Sequence, residues 1–255
     1  MPLEIAVFPA RSDNFGYLVR DVASGRVASI DAPDAGAIIA ELEKRGWVLT
    51  DLLITHHHAD HTDGIGPLKA AYGAHAIGPK GDAGKIEGLD TLVDGGDAVM
   101  LGETRFAVIG VPGHTLGHIA FHAPADKVLF SADALFSLGV GRMFEGDYET
   151  MWAGLKRLKA LDPQTLVYCG HEYTLANARF ALSIDPDNPS LKARADEARR
   201  QIDRGEATIP ARLADELAAN PFLRADDLGM ARRMGLEGAP ASQVFGALRK
   251  AKDSF

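Results

Sequence analysis

The sequence predicts an α/β fold in which a strand-rich part is followed by a smaller helical part. Short segments with strand patterning, separated by turns, fill about the first two-thirds of the chain, and few helices lie among them. After residue 174 the pattern is helical. The charge balance changes at the same place, since residues 1–174 carry a net charge of −9 and residues 175–255 carry +1. We therefore expect two domains, 1–174 and 175–255.

The first elements are predicted from apolar patterning and from helix-capping residues. Strands are expected at 4–8, 16–19 and 26–31, followed by a helix at 34–45. Asp34 suits the N-cap of this helix, Ile38 and Leu42 lie on its apolar stripe, and Gly46 stands where a terminator belongs. A strand at 51–55, apolar enough for burial on both faces, and a helix at 63–72 follow.

The middle of the chain is richest in strands. Those at 91–93 and 98–101 are expected to form a hairpin, because Asp94-Gly95-Gly96-Asp97 between them is a turn sequence. Further strands are predicted at 105–111, 119–122 and 127–131, then a helix at 148–161 and a strand at 165–169. The C-terminal part is predicted to contain helices at 174–183, 190–204, 211–219 and 242–252.

Composition and charge exclude several classes of protein. Of the 255 residues, 46% are apolar and 24% charged, which is ordinary for a soluble globular protein. No apolar run approaches the roughly 20 residues that span a bilayer, and the N-terminus has no secretory signal pattern. Cys169 is the single cysteine, which excludes an internal disulfide and fits the cytoplasm. The net charge of −8 weighs against nucleic acid as a partner.

The chemistry centres on the segment Thr55-His56-His57-His58-Ala59-Asp60-His61, which follows a predicted buried strand. The alternation of His56, His58 and Asp60 directs these three side chains to one side if the backbone is locally extended. With His61, four metal-competent side chains occupy six positions, which is too dense for an incidental polar loop. Imidazole and carboxylate ligands together suit zinc, iron or manganese.

Three later residues repeat the pattern of a metal-competent side chain after a strand. His114 follows the strand at 105–111, Asp133 follows 127–131 and His171 ends 165–169. Each alone is more often an ordinary polar residue. Together with the cluster they give five histidines and two aspartates, more than the three protein ligands of a mononuclear catalytic zinc site. The sequence therefore predicts two divalent metal ions that share one carboxylate. Zinc is the first expectation, and iron and manganese stay open because they accept the same ligand types.

This ligand pattern resembles that of the metallo-β-lactamase superfamily. Four further segments narrow the resemblance to glyoxalase II, the hydroxyacylglutathione hydrolases. They are Gly141-Arg142-Met143-Phe144-Glu145-Gly146, Val167-Tyr168-Cys169-Gly170-His171-Glu172-Tyr173-Thr174, Asn220-Pro221-Phe222-Leu223-Arg224 and Leu248-Arg249-Lys250-Ala251-Lys252-Asp253. The resemblance covers essentially the whole chain.

The resemblance implies a four-layer αββα sandwich, followed by a helical substrate-binding domain. It implies an enzyme that hydrolyses S-D-lactoylglutathione to D-lactate and glutathione, the second step of methylglyoxal detoxification. A monomer is expected, although no sequence feature determines the oligomeric state. The ligands that it assigns to the first metal ion are His56, His58 and His114. Those that it assigns to the second are Asp60, His61 and His171, with Asp133 shared. Asp60 and Asp133 are thereby the expected catalytic carboxylates.

The resemblance also places the glutathione moiety. The residues at its glutathione-binding positions are Arg142, Phe144, Tyr173, Arg249 and Lys252. Two residues depart from the family pattern. Phe144 stands where some members have tyrosine, which removes one hydroxyl contact with the substrate. Ala132 stands where glycine is common before the shared aspartate, a change that we expect small shifts in packing to accommodate.

Neighbouring residues are assigned supporting roles or none. His57 should point away from the other histidines and is not expected to be a ligand. His118 is weighed as an orienting partner of a ligand, and Asp31, at a strand end, as a supporting residue. Cys169 is expected to be buried and not to act as a nucleophile.

Three alternatives stay open at this point. A persulfide dioxygenase-like enzyme would share the first metal's histidines on a single iron, but would not need His61 and His171. A nuclease is disfavoured by the acidic body and the lack of a basic stripe. A non-enzymatic metal-binding protein would show no thioesterase turnover.

Overall fold

The computed structural model describes residues 3–255, and the chain divides into two compact units. Among the described residues, the first contains 3–110 and 115–130, and the second contains 111–114 and 131–255. The division by contacts therefore falls earlier in the chain than the domain boundary expected near residue 174, which stays a prediction.

The first unit contains two sheets and the helices packed on them. The first sheet contains β1 (Leu3–Ala10), β2 (Asn14–Asp21), β3 (Val27–Ile30), β4 (Asp51–Leu53), β5 (His75–Pro79) and β6 (Thr91–Val93). These strands lie in chain order, antiparallel from β1 to β3 and parallel from β3 to β6. The other sheet has six strands, of which four pair antiparallel here: β7 (Ala98–Leu101), β8 (Thr104–Gly110), β9 (Ile119–Ala123) and β10 (Val128–Ala132). Its remaining two strands follow later in the chain. The helices are α1 (Ala35–Arg45), α2 (Ala59–Thr62), α3 (Ile65–Tyr72) and a 3-10 helix at Lys80–Lys85.

Helix α1 confirms the prediction made from its caps. Asp34 accepts a hydrogen bond from the backbone N–H of Ala37 at 3.1 Å, and Gly46 ends the helix with a left-handed φ of 65°. Ile38 and Leu42 are fully buried and belong to the same apolar cluster as Leu52 of β4. Burial of this stripe anchors the helix on the first sheet.

The parallel strands of the first sheet determine where polar side chains gather. Strands β3, β4 and β5 are neighbours in register, so their carboxyl ends lie along one edge. Asp31 follows β3, the histidine segment follows β4, and Asp82 follows β5. The crevice beyond the carboxyl ends of parallel strands is the usual place for a ligand site in such sheets.

One local prediction in the first unit is wrong. Strands β6 and β7 do not form a hairpin, because β6 pairs with β5 and β7 pairs with β8 in a different sheet. The Asp94–Asp97 turn carries the chain from one sheet to the other. The helix predicted at 63–72 is confirmed as α3, which begins at Ile65, whereas the short α2 before it was not predicted. Gly64 lies between the two helices, where an added Cβ would come within 2.7 Å of the Ala32 carbonyl oxygen.

The second unit is mainly helical and also contains short strands. Its strands are β11 (Leu135–Phe136), β12 (Gly139–Val140), β13 (Leu166–Cys169) and β14 (Ala211–Arg212). Its helices are α4 (Tyr148–Lys159), α5 (Thr174–Ile184), α6 (Pro189–Asp203), α7 (Leu213–Ala219), α8 (Leu228–Arg233) and α9 (Ala241–Asp253). The helix predicted at 211–219 thus begins only at Leu213, and α8 was not predicted from its six residues.

Buried polar groups of α7 hold the β11–β12 hairpin in the second unit. Glu216 accepts hydrogen bonds from the Ser137 hydroxyl at 2.8 Å and from the Leu138 N–H at 2.7 Å. The Asn220 amide donates to the Gly139 carbonyl at 3.0 Å. Burial raises the pKa of Glu216. Among the helices of residues 3–255, none is long and apolar enough to cross a bilayer.

Candidate metal centre

Asp31 organises the histidine segment at the edge of the first sheet. One of its carboxylate oxygens accepts the backbone N–H of Thr55 at 2.7 Å, and the other accepts the Thr55 hydroxyl at 2.9 Å. The second oxygen also lies 2.7 Å from Nδ1 of His61. Because a carboxylate only accepts, Nδ1 of His61 carries the proton, and Nε2 has the lone pair that a metal would use. Asp31 therefore acts as an orienting group, as the sequence suggested.

The same logic fixes the tautomer of His56. The Thr55 hydroxyl gives its one proton to Asp31, so it accepts from Nδ1 of His56 at 3.0 Å. Nε2 of His56 then has a lone pair, and it lies 3.1 Å from Nδ1 of His58. Two nitrogens bound to one tetrahedral zinc at about 2.05 Å are about 3.4 Å apart. The two rings therefore already have nearly the separation of ligands to a single ion.

Asp60 and His61 complete the ligand candidates of the first unit. Asp60 lies at the start of α2, and Asn14 donates its amide to both the carbonyl and the carboxylate of Asp60 at 3.1 Å. The same carboxylate oxygen is 3.5 Å from Nε2 of His61. Sequence reasoning missed Asn14, which is the first residue of β2 and has no ligand-like spacing.

Asp82 is a second buried carboxylate that holds loop residues by accepting their hydrogen bonds, and the sequence did not indicate this role. It accepts from Nδ1 of His57 at 2.9 Å, from the Thr115 hydroxyl at 2.7 Å and from the Gly117 N–H at 3.1 Å. His57 is thus turned towards Asp82, in keeping with the expectation that it is not a ligand. No bounds for a strand before Asp82 were predicted from the sequence, so the strand-end pattern was not visible there.

His118, which was expected to orient a ligand, stacks on the ring of His56. Its ring lies parallel to that of His56, with centroids 4.6 Å apart and an interplanar angle of 18°. His118 is 1% exposed. This contact limits the rotation of the His56 ring.

In the second unit, Asp133 lies between two predicted ligands. Its Oδ2 atom is 3.3 Å from Nε2 of His114 and 3.4 Å from Nε2 of His171. The backbone brings Asp133 and His171 together, because the Gly170 N–H donates to the Ala132 carbonyl at 3.0 Å. Both distances match those between two ligands of one tetrahedral zinc, about 3.4 Å. These distances fit a carboxylate that could contribute to the site of His114 and to that of His171.

The orientation of His114 depends on the backbone after β12. Its Nδ1 lies 2.9 Å from the Arg142 carbonyl oxygen, so Nδ1 carries the proton and Nε2 has the lone pair that faces Asp133. Gly141 makes this approach possible, since an added Cβ would lie 2.0 Å from the Asp133 carbonyl and 3.0 Å from Nδ1 of His114. A residue larger than glycine at position 141 would displace the ligand.

Ala132 departs from the family pattern in a way that the structure explains. Its φ is 42°, a left-handed conformation that disfavours every residue with a Cβ. The expectation that small packing shifts would accommodate this alanine was therefore incomplete, because the cost lies in the backbone.

We expect Ala132→Gly to stabilise the protein by about 0.5–1 kcal/mol. Relief of the left-handed alanine gains about 1–2 kcal/mol, and the greater freedom of glycine in the unfolded chain offsets part of it. Urea unfolding at a fixed metal concentration measures the change. A lower unfolding midpoint for the glycine variant would contradict this explanation.

The predicted glutathione-binding residues differ in exposure. Tyr173 stacks on His171, with centroids 4.8 Å apart and planes at 3°, and Phe144 contacts the His114 ring at 5.3 Å. Phe144 is 58% exposed and Arg142 is also exposed, whereas Arg249 is 5% exposed. Burial lowers the pKa of both Arg249 and Lys252.

Cys169 confirms the prediction of an inert cysteine. It is 1% exposed at the end of β13, and burial raises the pKa of its thiol well above the usual range. Because the thiolate is the form that acts as a nucleophile or a metal ligand, a raised pKa and burial both oppose such a role for Cys169.

The donor set fits a divalent metal. His56, His61 and His114 each have Nδ1 engaged by an oxygen and Nε2 turned towards another ligand candidate. Engagement of one ring nitrogen by an oxygen is the usual support of a metal-binding histidine. These clusters of histidine and aspartate indicate a metal site.

The comparisons with known proteins agree with this chemistry. A model of the metallo-beta-lactamase superfamily matches residues 21–171, and one described as "Hydroxyacylglutathione hydrolase C-terminus" matches residues 172–255. A hydroxyacylglutathione hydrolase of Bradyrhizobium sp. strain ORS 278 is 50% identical over 253 residues, which are 99% of each chain. The chain belongs to the hydroxyacylglutathione hydrolase family.

Solved structures give the fold of this hydroxyacylglutathione hydrolase family member. A metallo-beta-lactamase of Staphylococcus aureus matches with a TM-score of 0.67 at 19% identity, covering 98% of this chain and 71% of that one. A protein described as "TTHA1623 in a di-iron-bound form" matches with a TM-score of 0.58 at 27% identity, covering 66% of this chain and 91% of that one. The predicted metallo-β-lactamase fold with a C-terminal helical domain is confirmed.

Proposed function

We propose that the chain hydrolyses S-(2-hydroxyacyl)glutathione thioesters, with S-D-lactoylglutathione giving D-lactate and glutathione. The observation that carries the proposal is 50% identity over 99% of the chain to a protein named for this activity. The arrangement of histidines and aspartates supports it chemically, because it suits the activation of water by metal ions.

The proposed centre holds two metal ions. We assign His56, His58 and His114 to the first ion. We assign Asp60, His61 and His171 to the second, with Asp133 shared. The di-iron form of a related protein supports two ions. Zinc is our first choice, with iron or manganese as alternatives, because these metals accept the same ligand types.

The protein's own residues orient the histidines that would bind the metal ions. When bound, the two ions would lower the pKa of water and polarise the thioester carbonyl. Asp31 and the Arg142 carbonyl keep Nε2 of His61 and of His114 available for ligation. The leaving group is a thiolate, whose parent thiol has a pKa of about 8.5, so the site needs no strong general acid.

The glutathione moiety is proposed to bind near the aromatic and basic residues that flank the ligands. Tyr173 and Phe144 lie against His171 and His114 and offer apolar faces. Arg142 and Lys252 offer positive charge for the carboxylates of glutathione. Arg249 was assigned to the same group by the family resemblance.

The proposal also covers the location, oligomeric state, partners and domain boundary of the protein. We propose a cytoplasmic monomer that acts on a small molecule, with neither nucleic acid nor a membrane as its partner. We also propose that the helical substrate-binding domain begins near residue 174, close to the junction of the two matched family models between residues 171 and 172.

The experiment is hydrolysis of S-D-lactoylglutathione by the metal-loaded protein, beside the same acyl group on a thiol that lacks glutathione's carboxylates. We expect fast turnover of the first and much slower turnover of the second. No turnover of either thioester, with metal present in the protein, would refute the proposed substrate. Consumption of oxygen with a glutathione persulfide would then favour the dioxygenase alternative.

A further inference from the structure

We propose that Glu216 is a positioning residue of the metal centre, because its buried carboxylate holds the turn of the β11–β12 hairpin, whose open end carries Asp133 and orients His114. The inference rests on the ligands assigned under the proposed function. Glu216 lies on α7 and is 0% exposed, so it can act only through the groups packed around it.

The carboxylate of Glu216 accepts hydrogen bonds from both residues of the turn. One oxygen accepts from the Ser137 hydroxyl at 2.8 Å. The other accepts from the Leu138 N–H at 2.7 Å and from the Asn220 amide at 3.0 Å. The Ser137 hydroxyl in turn accepts from Nε of Arg194 at 3.2 Å. Because a buried polar group that loses its partner costs free energy, the turn cannot leave this arrangement cheaply.

The turn that Glu216 holds has a strained backbone. Leu138 has a φ of 59°, a left-handed conformation that residues with a Cβ disfavour, and it is 0% exposed. Such conformations persist only where the surroundings enforce them, and they are concentrated at functional sites. Asn177 of α5 adds a further constraint, since its amide donates to the Ser137 carbonyl at 3.1 Å. The shape of the turn is therefore imposed by contacts from outside the hairpin.

The open end of the same hairpin meets two assigned ligands. Each strand has only two residues, so Asp133 stands two residues before β11 and Arg142 two residues after β12. Gly141 packs so closely that an added Cβ would lie 2.0 Å from the Asp133 carbonyl. The Arg142 carbonyl accepts from Nδ1 of His114 at 2.9 Å. A change in the turn would therefore displace Asp133 and the carbonyl that orients His114 together.

Asp185 provides a matched control in the same unit. It is also a buried carboxylate, with a side chain that is 4% exposed. It forms ion pairs with Arg224 and with Arg233, the latter at 2.8 Å, and these partners belong neither to the hairpin nor to the ligands. If Glu216 contributes only to the stability of the second unit, changes at positions 216 and 185 should affect zinc binding alike.

The test is zinc binding by the metal-free full chain, titrated against a chromophoric chelator. Glu216→Met is similar in size but lacks the carboxylate, and we expect it to bind zinc about tenfold more weakly, the lower end of the range for groups that support a ligand. Glu216→Gln should stay within about threefold of the unaltered protein, because its amide can accept from the Leu138 N–H and donate to the Ser137 hydroxyl. Asp185→Asn should stay within about twofold, since its contacts lie elsewhere.

Hydrogen exchange of the metal-free protein provides a second readout, which needs neither metal nor substrate. Glu216→Met should raise the exchange rates of the amides in residues 134–142 by at least about tenfold, because the turn is then free to open locally. Asp185→Asn should leave the exchange of these amides close to that of the unaltered protein.

Unchanged zinc binding by Glu216→Met, or equal losses for Glu216→Met and Asp185→Asn, would overturn the proposal. Circular dichroism checks folding. If Glu216→Met does not fold, Ser137→Ala decides by the same criteria, because it removes one donor to Glu216 and keeps the carboxylate. Absence of zinc binding by the unaltered chain would overturn the proposed centre and this inference with it. Normal zinc binding without thioester hydrolysis would refute the proposed activity alone.

Discussion

Replacing Asp133 by asparagine is expected to lower kcat/KM for thioester hydrolysis by at least about a thousandfold. Its Oδ2 atom lies within 3.4 Å of the Nε2 atoms of both His114 and His171. The change removes the negative charge that two cations would share, and metal ions contribute several kcal/mol to such reactions, with each 1.4 kcal/mol worth tenfold in rate. Steady-state kinetics and metal analysis of the purified variant measure the effect.

The control for this experiment is Asp187→Asn, an equivalent loss of charge in a turn where the side chain is 83% exposed. Its activity and metal content should equal those of the unaltered protein. Activity of Asp133→Asn within tenfold of normal, with two ions still bound, would contradict the role assigned to the shared carboxylate.

Replacing Asp31 by asparagine is expected to weaken metal binding by about 10- to 100-fold, although Asp31 is not an assigned ligand. The carboxylate holds Nδ1 of His61 at 2.7 Å and also accepts two hydrogen bonds from Thr55. An asparagine amide nitrogen cannot accept, so one of these partners loses its acceptor. Zinc titration and thermal unfolding, with and without metal, measure the loss.

Asp51→Asn is the matched control for Asp31→Asn. Asp51 is a buried carboxylate on β4, where it pairs with Arg26 at 2.7 Å away from the histidines. The control should lower stability because the buried Asp51 carboxylate loses its charge and its pairing with the half-exposed Arg26, but it should leave the zinc constant unchanged. Equal effects of the two changes on zinc binding would show that Asp31 acts only through stability.

The sequence was most informative where the signal is local. The caps of α1 and its apolar stripe predict a helix without reference to the rest of the chain, and the structure confirms them at Asp34 and Gly46. The histidine segment predicted a metal site just as directly, because several metal-binding residue types at such close spacing seldom occur for another reason.

The errors arose where partners are distant in the chain. A turn sequence between two strands says nothing about which sheet each strand joins, so β6 and β7 were paired wrongly. The role of Asp82 depends on the hydrogen bonds that it accepts from Thr115 and Gly117, which lie more than thirty positions away in the sequence. The left-handed φ of Ala132 could not be predicted either, because alanine is not a residue that indicates a left-handed backbone.

The burial of Cys169 has a consequence for a protein whose proposed product is itself a thiol. Formation of a mixed disulfide requires a thiolate and access for the second sulfur. The single cysteine of this chain offers neither, since it is 1% exposed and its ionisation is suppressed. Oxidised glutathione should therefore leave the folded protein without a mixed disulfide at Cys169.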